Sequence, residues 1–98
     1  MKEIDWSSLS FGYMKTDYNV RCWYRNGAWG EIEVSSEETL NIHMAATCLH
    51  YGQEAFEGLK AYRCPDGKVR VFRMDENAAR LQSSCRGIMM PELPTELF

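Results

Sequence analysis

The 98-residue sequence lacks the features that mark several specialised classes of protein. No apolar run approaches the ~20 residues that span a bilayer, and the first residues are mixed and acidic, unlike a signal peptide. A net charge of -3 gives no reason to expect nucleic acid as a partner. We therefore expect a cytoplasmic protein that binds neither a membrane nor nucleic acid.

The four cysteines form no C-x-x-C pair, so zinc-ligand spacing is absent, and the two histidines do not supply it. We predict no metal site. An even number of cysteines is compatible with disulfides, but the absence of a signal peptide favours reduced thiols.

The size of the chain allows one small domain, and its 45% hydrophobic content makes a core possible. We predict a single domain over residues 1–98, with an irregular arm at 1–16. Alternating polar and apolar residues from Val20 to Tyr24 and again at 32–34 flank Asn26-Gly27, a type I′ turn signal. This pattern predicts a first hairpin.

Pro65-Asp66-Gly67 has the chemistry of a second turn. It joins a predicted strand at 55–63, interrupted at Gly58, to a return strand at 68–74. Residues 40–44 look extended, and 45–49 suit either a helical turn or irregular structure.

Asp75 is a candidate N-cap for a helix that ends at Gly87, with Ala78, Leu81 and Cys85 on one face. The predicted fold is therefore α+β, an antiparallel sheet built from hairpins with this helix packed on one face.

Side chains alternate along a strand, so Phe56, Gly58 and Lys60 share a face on which the glycine leaves a dent. The dent suits either a ligand that approaches the backbone or a bulge in the strand. Arg80 offers a planar fork of donors that fits phosphate, although a solvated helix face is the usual explanation of a single arginine and is favoured from the residues alone.

Three other candidates have simple structural explanations. Tyr51, between His50 and Gly52, could present a phenol, and His50 could be a base, but no nucleophile triad is evident and a structural histidine is the better interpretation. Glu31 and Glu33 share a strand face, where a solvated hairpin edge is the simpler alternative to an acid–base pair.

Several motifs together resemble the N-terminal part of branched-chain amino-acid aminotransferases, which are class IV pyridoxal-phosphate enzymes. The matching residues, in order and spacing, are Leu49-His50-Tyr51-Gly52, Phe56-Glu57-Gly58-Leu59-Lys60-Ala61-Tyr62, Phe72-Arg73, Asn77, Arg80 and Met90-Pro91. Other class IV enzymes share only a looser version of this pattern.

The resemblance implies that Arg80 binds the phosphate of pyridoxal 5'-phosphate, and that Phe56 and Gly58 line the pocket for the substrate side chain. It also implies that Tyr51 reaches the neighbouring subunit's pocket in a homodimer. Lys60 shares the face of Phe56 and could meet a substrate carboxylate at the pocket rim.

The lysine that forms the family's Schiff base with the cofactor has no counterpart here. The lysines are Lys2, Lys15, Lys60 and Lys68. A new helix signal at Thr95 stops three residues later, at Phe98. We expect the chain to be the small N-terminal domain alone, inactive by itself and truncated before the large domain that carries the lysine.

The implied parent activity is transfer of the amino group of leucine, isoleucine or valine to 2-oxoglutarate. Two alternatives stay open. The first is another class IV enzyme, a D-amino-acid aminotransferase or an aminodeoxychorismate lyase, and the second is a non-catalytic α+β binding module.

Overall fold

The structure is a computed structural model that describes residues 12–98. The chain divides into two compact units, Met1–Ile42 and His43–Phe98. The secondary-structure elements in chain order are β1 (Asn19–Arg25), β2 (Ala28–Ser35), α1 (Thr47–His50), β3 (Ala61–Arg63), β4 (Val69–Val71) and α2 (Met74–Gly87). The α+β class is confirmed.

The first unit is built on the hairpin β1–β2, whose turn is the one that the sequence predicts. Arg25 pairs with Ala28, so Asn26 and Gly27 form a two-residue loop. Both have positive φ, 53° and 79°, as a type I′ turn requires. The register shifts between Cys22 and Tyr24. Residues 12–18 carry no helix or strand. Residues 1–11, which make up the rest of the predicted arm and on which the expectation of no signal peptide rests, lie outside the described residues.

Aromatic contacts reinforce this hairpin near its turn. The rings of Tyr24 and Trp29, directly paired across the strands, meet edge to face with centroids 5.2 Å apart. The Arg25 guanidinium lies 4.9 Å from the centroid of the Trp23 ring. Cross-strand pairs of this kind stabilise an isolated two-stranded sheet, which has little apolar burial of its own.

The second unit contains the hairpin β3–β4, closed by the predicted turn. The Gly67 amide donates to the Cys64 carbonyl at 2.9 Å, and the Cys64 amide to the Lys68 carbonyl at 2.8 Å. Gly67 has a φ of 82°. Asp66 accepts from the Lys68 amide at 3.0 Å and from the Arg70 guanidinium at 2.7 Å.

This hairpin is shorter than the sequence predicts, since β3 starts at Ala61 rather than at residue 55. Ala61 pairs with Val71, the last residue of β4. Arg73 then adopts a left-handed conformation and Met74 begins a helix. Residues 55–60 consequently have no strand opposite them, although they were predicted to pair. The two hairpins also form two separate two-stranded sheets instead of one.

Helix α2 spans Met74–Gly87. The predicted N-cap was wrong, because Arg73 occupies the cap with φ 49° and ψ 47°, and Asp75 lies inside the first turn. Its carboxylate still favours the helix N-terminus there. The predicted end at Gly87 and the apolar face are confirmed, with Ala78 and Cys85 buried.

The chain leaves α2 through a Schellman motif with a methionine in the left-handed position. Met89 has a φ of 60°. Its amide donates to the Arg86 carbonyl at 3.3 Å, and the Met90 amide donates to the Cys85 carbonyl at 2.9 Å. These two bonds satisfy carbonyls that the helix itself leaves without partners.

Among residues 12–98, no helix is long and apolar enough to cross a membrane. Side-chain burial is also scarce. Ala78 and Cys85 are the buried apolar residues of the described part of the chain, and Val20, Ile32 and Val34 on the first hairpin are each more than half exposed.

The turn geometry predicts a sharp difference between two neighbouring substitutions. Gly27→Ala puts a side chain at a φ of 79°, which costs a non-glycine residue roughly 1–2 kcal/mol. Amide hydrogen exchange in β1 and β2 should therefore accelerate about 5- to 30-fold. Asn26→Gly is the matched control, because glycine accepts positive φ freely. Equal exchange rates in both variants would contradict the turn assignment.

Candidate functional site

The segment before β3 alternates in burial, although no strand pairs with it. The odd-numbered residues Gln53, Ala55 and Glu57 are partly buried. The even-numbered residues Phe56 and Gly58 are exposed. The period-two alternation predicted for this stretch is therefore present. It turns the Glu57 carboxylate towards the protein and the Phe56 ring away from it.

Glu57 receives a fork of hydrogen bonds from helix α2. Arg80 Nε donates to both carboxylate oxygens, at 2.9 Å to Oε1 and 2.8 Å to Oε2, and Arg80 Nη2 donates to Oε1 at 2.6 Å. Asn77 Nδ2 donates to the same Oε1 at 3.0 Å and to the Gly58 carbonyl at 3.3 Å. Asn77 and Arg80 lie three residues apart, so they share a helix face.

The two charges of this pair differ in exposure. The Glu57 side chain is 8% exposed and that of Arg80 is 67% exposed. The carboxylate therefore lies on the inner side, with the guanidinium between it and open space. Hydrogen bonds from Arg80 hold the pKa of Glu57 below its ordinary value against the opposing effect of desolvation, and the bond to Glu57 raises the pKa of Arg80. Both groups are charged at neutral pH.

A pocket of about 300 Å³ opens beside the guanidinium. Its lining residues are Phe72, Arg73, Glu76, Asn77 and Arg80. Arg73 and Glu76 form an ion pair at 3.2 Å. The bonds to Glu57 engage Nε and Nη2 of Arg80, so the Nη1 edge of the fork is directed elsewhere. Because Arg80 lines the pocket, an anion there would lie beside a guanidinium, whose planar donors suit phosphate.

The other predicted site residues lie on exposed surface. Phe56 is 90% exposed. Gly58 lies outside the strands, has no positive φ, and leaves open space where a Cβ would stand. The bulge explanation for this glycine is therefore not supported by its backbone. Lys60 is exposed. Phe56, Gly58 and Lys60 do not line the pocket of Arg80.

Tyr51 belongs to a different surface. It is 84% exposed and lines a pocket of about 360 Å³ together with Thr47, Gly52, Gln53 and Ile88. Gln53 Nε2 donates to the Ile88 carbonyl at 2.8 Å across this pocket's floor. The structure thus places Arg80 and Tyr51 in separate pockets of the same unit.

The simpler explanations for the remaining candidates agree with their contacts. His50 Nε2 donates to the Met44 carbonyl at 2.6 Å, and Glu33 accepts from Trp23 Nε1 at 3.2 Å. Two residues that sequence reasoning gave no role form this network: Glu57 binds Arg80, and Asn77 binds Glu57. The spacing of Asn77 three residues before Arg80 was the available signal.

No family model matches the chain. Individual proteins do, and all three described here are aminotransferases. The chain is 49% identical over 98 residues to the branched-chain-amino-acid aminotransferase of Haemophilus influenzae, and 47% identical over 98 residues to that of Helicobacter pylori. Each match covers 100% of the chain and 29% of the relative. The protein of the same name from Mycolicibacterium smegmatis is 47% identical over 99 residues, which are 27% of its length.

The similarity runs through every part of the chain, including both hairpins and α2. Over its whole length the chain is similar to branched-chain-amino-acid aminotransferases, and it spans less than a third of the length of these relatives. The resemblance predicted from the motifs is confirmed.

The fork of bonds on Glu57 predicts its titration. The pKa of this carboxyl is lowered from 4.5, so the pair stabilises the second unit above about pH 4.5, and that stabilisation is lost as pH falls through the lower, folded-state pKa. The carboxyl carbon of Glu57 should titrate by NMR with a midpoint below 4.5.

Arg80→Gln is the control for this titration, since it removes the cation and keeps a hydrogen-bond donor. The Glu57 midpoint should rise in this variant. A midpoint that stays the same with and without the Arg80 charge would show that the ion pair does not form in solution.

Proposed function

We propose that this chain is part of a pyridoxal-phosphate-dependent enzyme that transfers the amino group of leucine, isoleucine or valine to 2-oxoglutarate. The observation that carries the proposal is the 47–49% identity, over all 98 residues, to proteins named branched-chain-amino-acid aminotransferases. In this proposal residues 1–98 belong to the small N-terminal domain, and the enzyme is a cytoplasmic homodimer. Four free thiols are in keeping with a reducing compartment.

The residues present fit the phosphate end of the cofactor. Arg80 is held by Glu57 through Nε and Nη2 and lines the pocket, and a guanidinium fork suits a phosphate better than an ammonium does. When bound, pyridoxal phosphate supplies the electron sink for cleavage at the amino acid's α-carbon. The contribution of this chain's own residues is to bind the cofactor phosphate and to orient the cofactor.

The substrate side of the site is proposed for the exposed face beside Glu57. Phe56 offers an apolar wall, and the open space above Gly58 leaves room for a branched aliphatic group. Lys60 follows on the same segment and can meet a carboxylate at the rim. Tyr51, in its own pocket, is proposed to serve the neighbouring subunit of the homodimer.

None of the described lysines suits the role of the one that links to the cofactor. Lys15 forms an ion pair with Glu38 at 3.1 Å in the first unit, while Lys60 and Lys68 are exposed and line neither pocket. A different class IV enzyme would need the same groups, but the relatives described above do not favour that alternative. A binding module without catalysis is likewise not favoured.

Activity assays on two lengths of protein test the proposed function. The whole protein that carries this segment should convert 2-oxoglutarate to glutamate with leucine, isoleucine or valine, when pyridoxal phosphate is present. The 98-residue chain should give no glutamate above the cofactor-only background. A whole protein that is inert towards all three amino acids, or turnover by the short chain, would contradict the proposal.

The open space at Gly58 predicts a change in substrate preference. Gly58→Val places an isopropyl group where a substrate side chain is proposed to lie, and a misfit of this size costs roughly 1–3 kcal/mol. In the whole protein, the leucine-to-alanine ratio of kcat/KM should therefore fall about 5- to 150-fold.

Gly58→Ala is the graded control, with an intermediate fall in that ratio. The melting temperature of Gly58→Ala should be unchanged, because no atom lies within 4 Å of the added Cβ. A large drop in melting temperature with an unaltered ratio would instead assign Gly58 a role in folding.

A further inference from the structure

Arg80 is the proposed phosphate ligand, yet in the structure its guanidinium is hydrogen-bonded to a carboxylate. Three hydrogen bonds of 2.6–2.9 Å join its Nε and Nη2 atoms to Glu57. An anion on a phosphate-binding arginine has two possible effects. It either masks the arginine and competes with the phosphate, or it holds the guanidinium in the orientation that the phosphate needs.

We propose that Glu57 is a positioning residue, which orients the Arg80 guanidinium so that its Nη1 edge faces the phosphate of the cofactor. This inference rests on the proposed function. Exposure decides between the two effects. A masking carboxylate would lie on the solvent side of the arginine, whereas Glu57 is 8% exposed and Arg80 is 67% exposed. The carboxylate is thus the less exposed partner, and Arg80 lines the pocket whereas Glu57 does not.

The choice of atoms supports the same conclusion. A guanidinium can offer two parallel bonds from its Nε–Nη2 side and two from its Nη1–Nη2 end. Glu57 takes the first side. The end that includes Nη1 is left for a second bidentate partner. One arginine can therefore serve the carboxylate and a phosphate at the same time.

Glu57 is itself fixed, which a positioning residue must be. Asn77 Nδ2 donates to Oε1 of Glu57 at 3.0 Å and to the Gly58 carbonyl at 3.3 Å, so it joins the carboxylate to its own backbone. Asn77 and Arg80 both project from α2. The resulting frame holds a long, flexible side chain in one rotamer before any ligand arrives, which reduces the entropy lost on binding.

Repulsion between the Glu57 carboxylate and a phosphate would weaken phosphate binding and so oppose the benefit of a fixed Arg80 side chain. Arg80 pairs with Glu57 and also lines the pocket, so its charge compensates both anions and reduces the repulsion. Positioning and masking therefore make opposite predictions for the loss of the carboxylate. Glu57→Ala weakens phosphate binding if Glu57 positions Arg80, and it strengthens phosphate binding if Glu57 masks Arg80.

The test compares two ligands that differ by the phosphate alone. Pyridoxal phosphate and pyridoxal are titrated into the cofactor-free whole protein. The Kd of pyridoxal divided by the Kd of pyridoxal phosphate reports the contribution of the phosphate, and a larger ratio means a larger contribution. In Glu57→Ala, pyridoxal phosphate should lose roughly 2- to 12-fold of its advantage over pyridoxal, the cost of immobilising one long side chain. A variant that is only less stable would weaken both ligands alike.

Three further variants complete the design. Glu54→Ala changes an exposed carboxylate in the same segment and should leave the ratio unaltered. Glu57→Gln keeps an acceptor for Arg80 and should restore much of the ratio. Arg80→Ala removes the proposed ligand and should reduce the ratio about 10- to 150-fold, as expected for loss of a charge-assisted hydrogen bond.

The outcomes distinguish the positioning role of Glu57 from the phosphate-binding role of Arg80. If Glu57→Ala leaves the ratio unchanged or raises it while Arg80→Ala reduces it, the positioning role is overturned and Arg80 remains the phosphate ligand. If Arg80→Ala has no effect on the ratio, the assignment of Arg80 in the proposed function fails, and the positioning role fails with it.

Discussion

The second unit depends on one carboxylate, that of Glu57. Among the described residues the most deeply buried apolar side chains are Ala78 and Cys85, so the hydrophobic effect contributes little to holding the segment before β3 beside α2. Arg80 and Asn77 bind Glu57 and thereby tie that segment to the helix. Because the Glu57 side chain is nearly buried and charged, removal of either partner would leave a desolvated anion poorly compensated.

Local chemistry made much of the fold predictable. Asn26, Gly27 and Gly67 adopt the positive φ values that their residue types favour, and α2 ends at Gly87 as the sequence indicates. The errors have a common cause. The length of β3 depends on where the opposite strand ends, and Arg73 ends that strand by entering a left-handed conformation. Sequence patterns favour Asp75 as the cap and give arginine no preference for such a position.

Some residues of the candidate site could likewise be predicted from local sequence, and others could not. Arg80, Phe56 and Gly58 could be singled out from residue type and from the resemblance, because each offers a recognisable chemistry. Glu57 could not, since a glutamate on the face opposite Phe56 is expected to be solvated. Its importance comes from a contact across 23 residues of sequence, and no local pattern encodes a contact of that separation.

The same arrangement explains why a site can be assembled on so small a core. The inner face of the segment is used to fix Glu57 and, through it, Arg80, and the outer face presents Phe56 and the space above Gly58. Alternation along this stretch thus assigns adjacent residues to two tasks, anchoring the arginine proposed to bind the phosphate and forming the proposed apolar wall. A one-residue shift of this stretch would exchange the two faces and abolish both. The pair of Glu57 with Arg80 therefore fixes the register of the site as well as its charge.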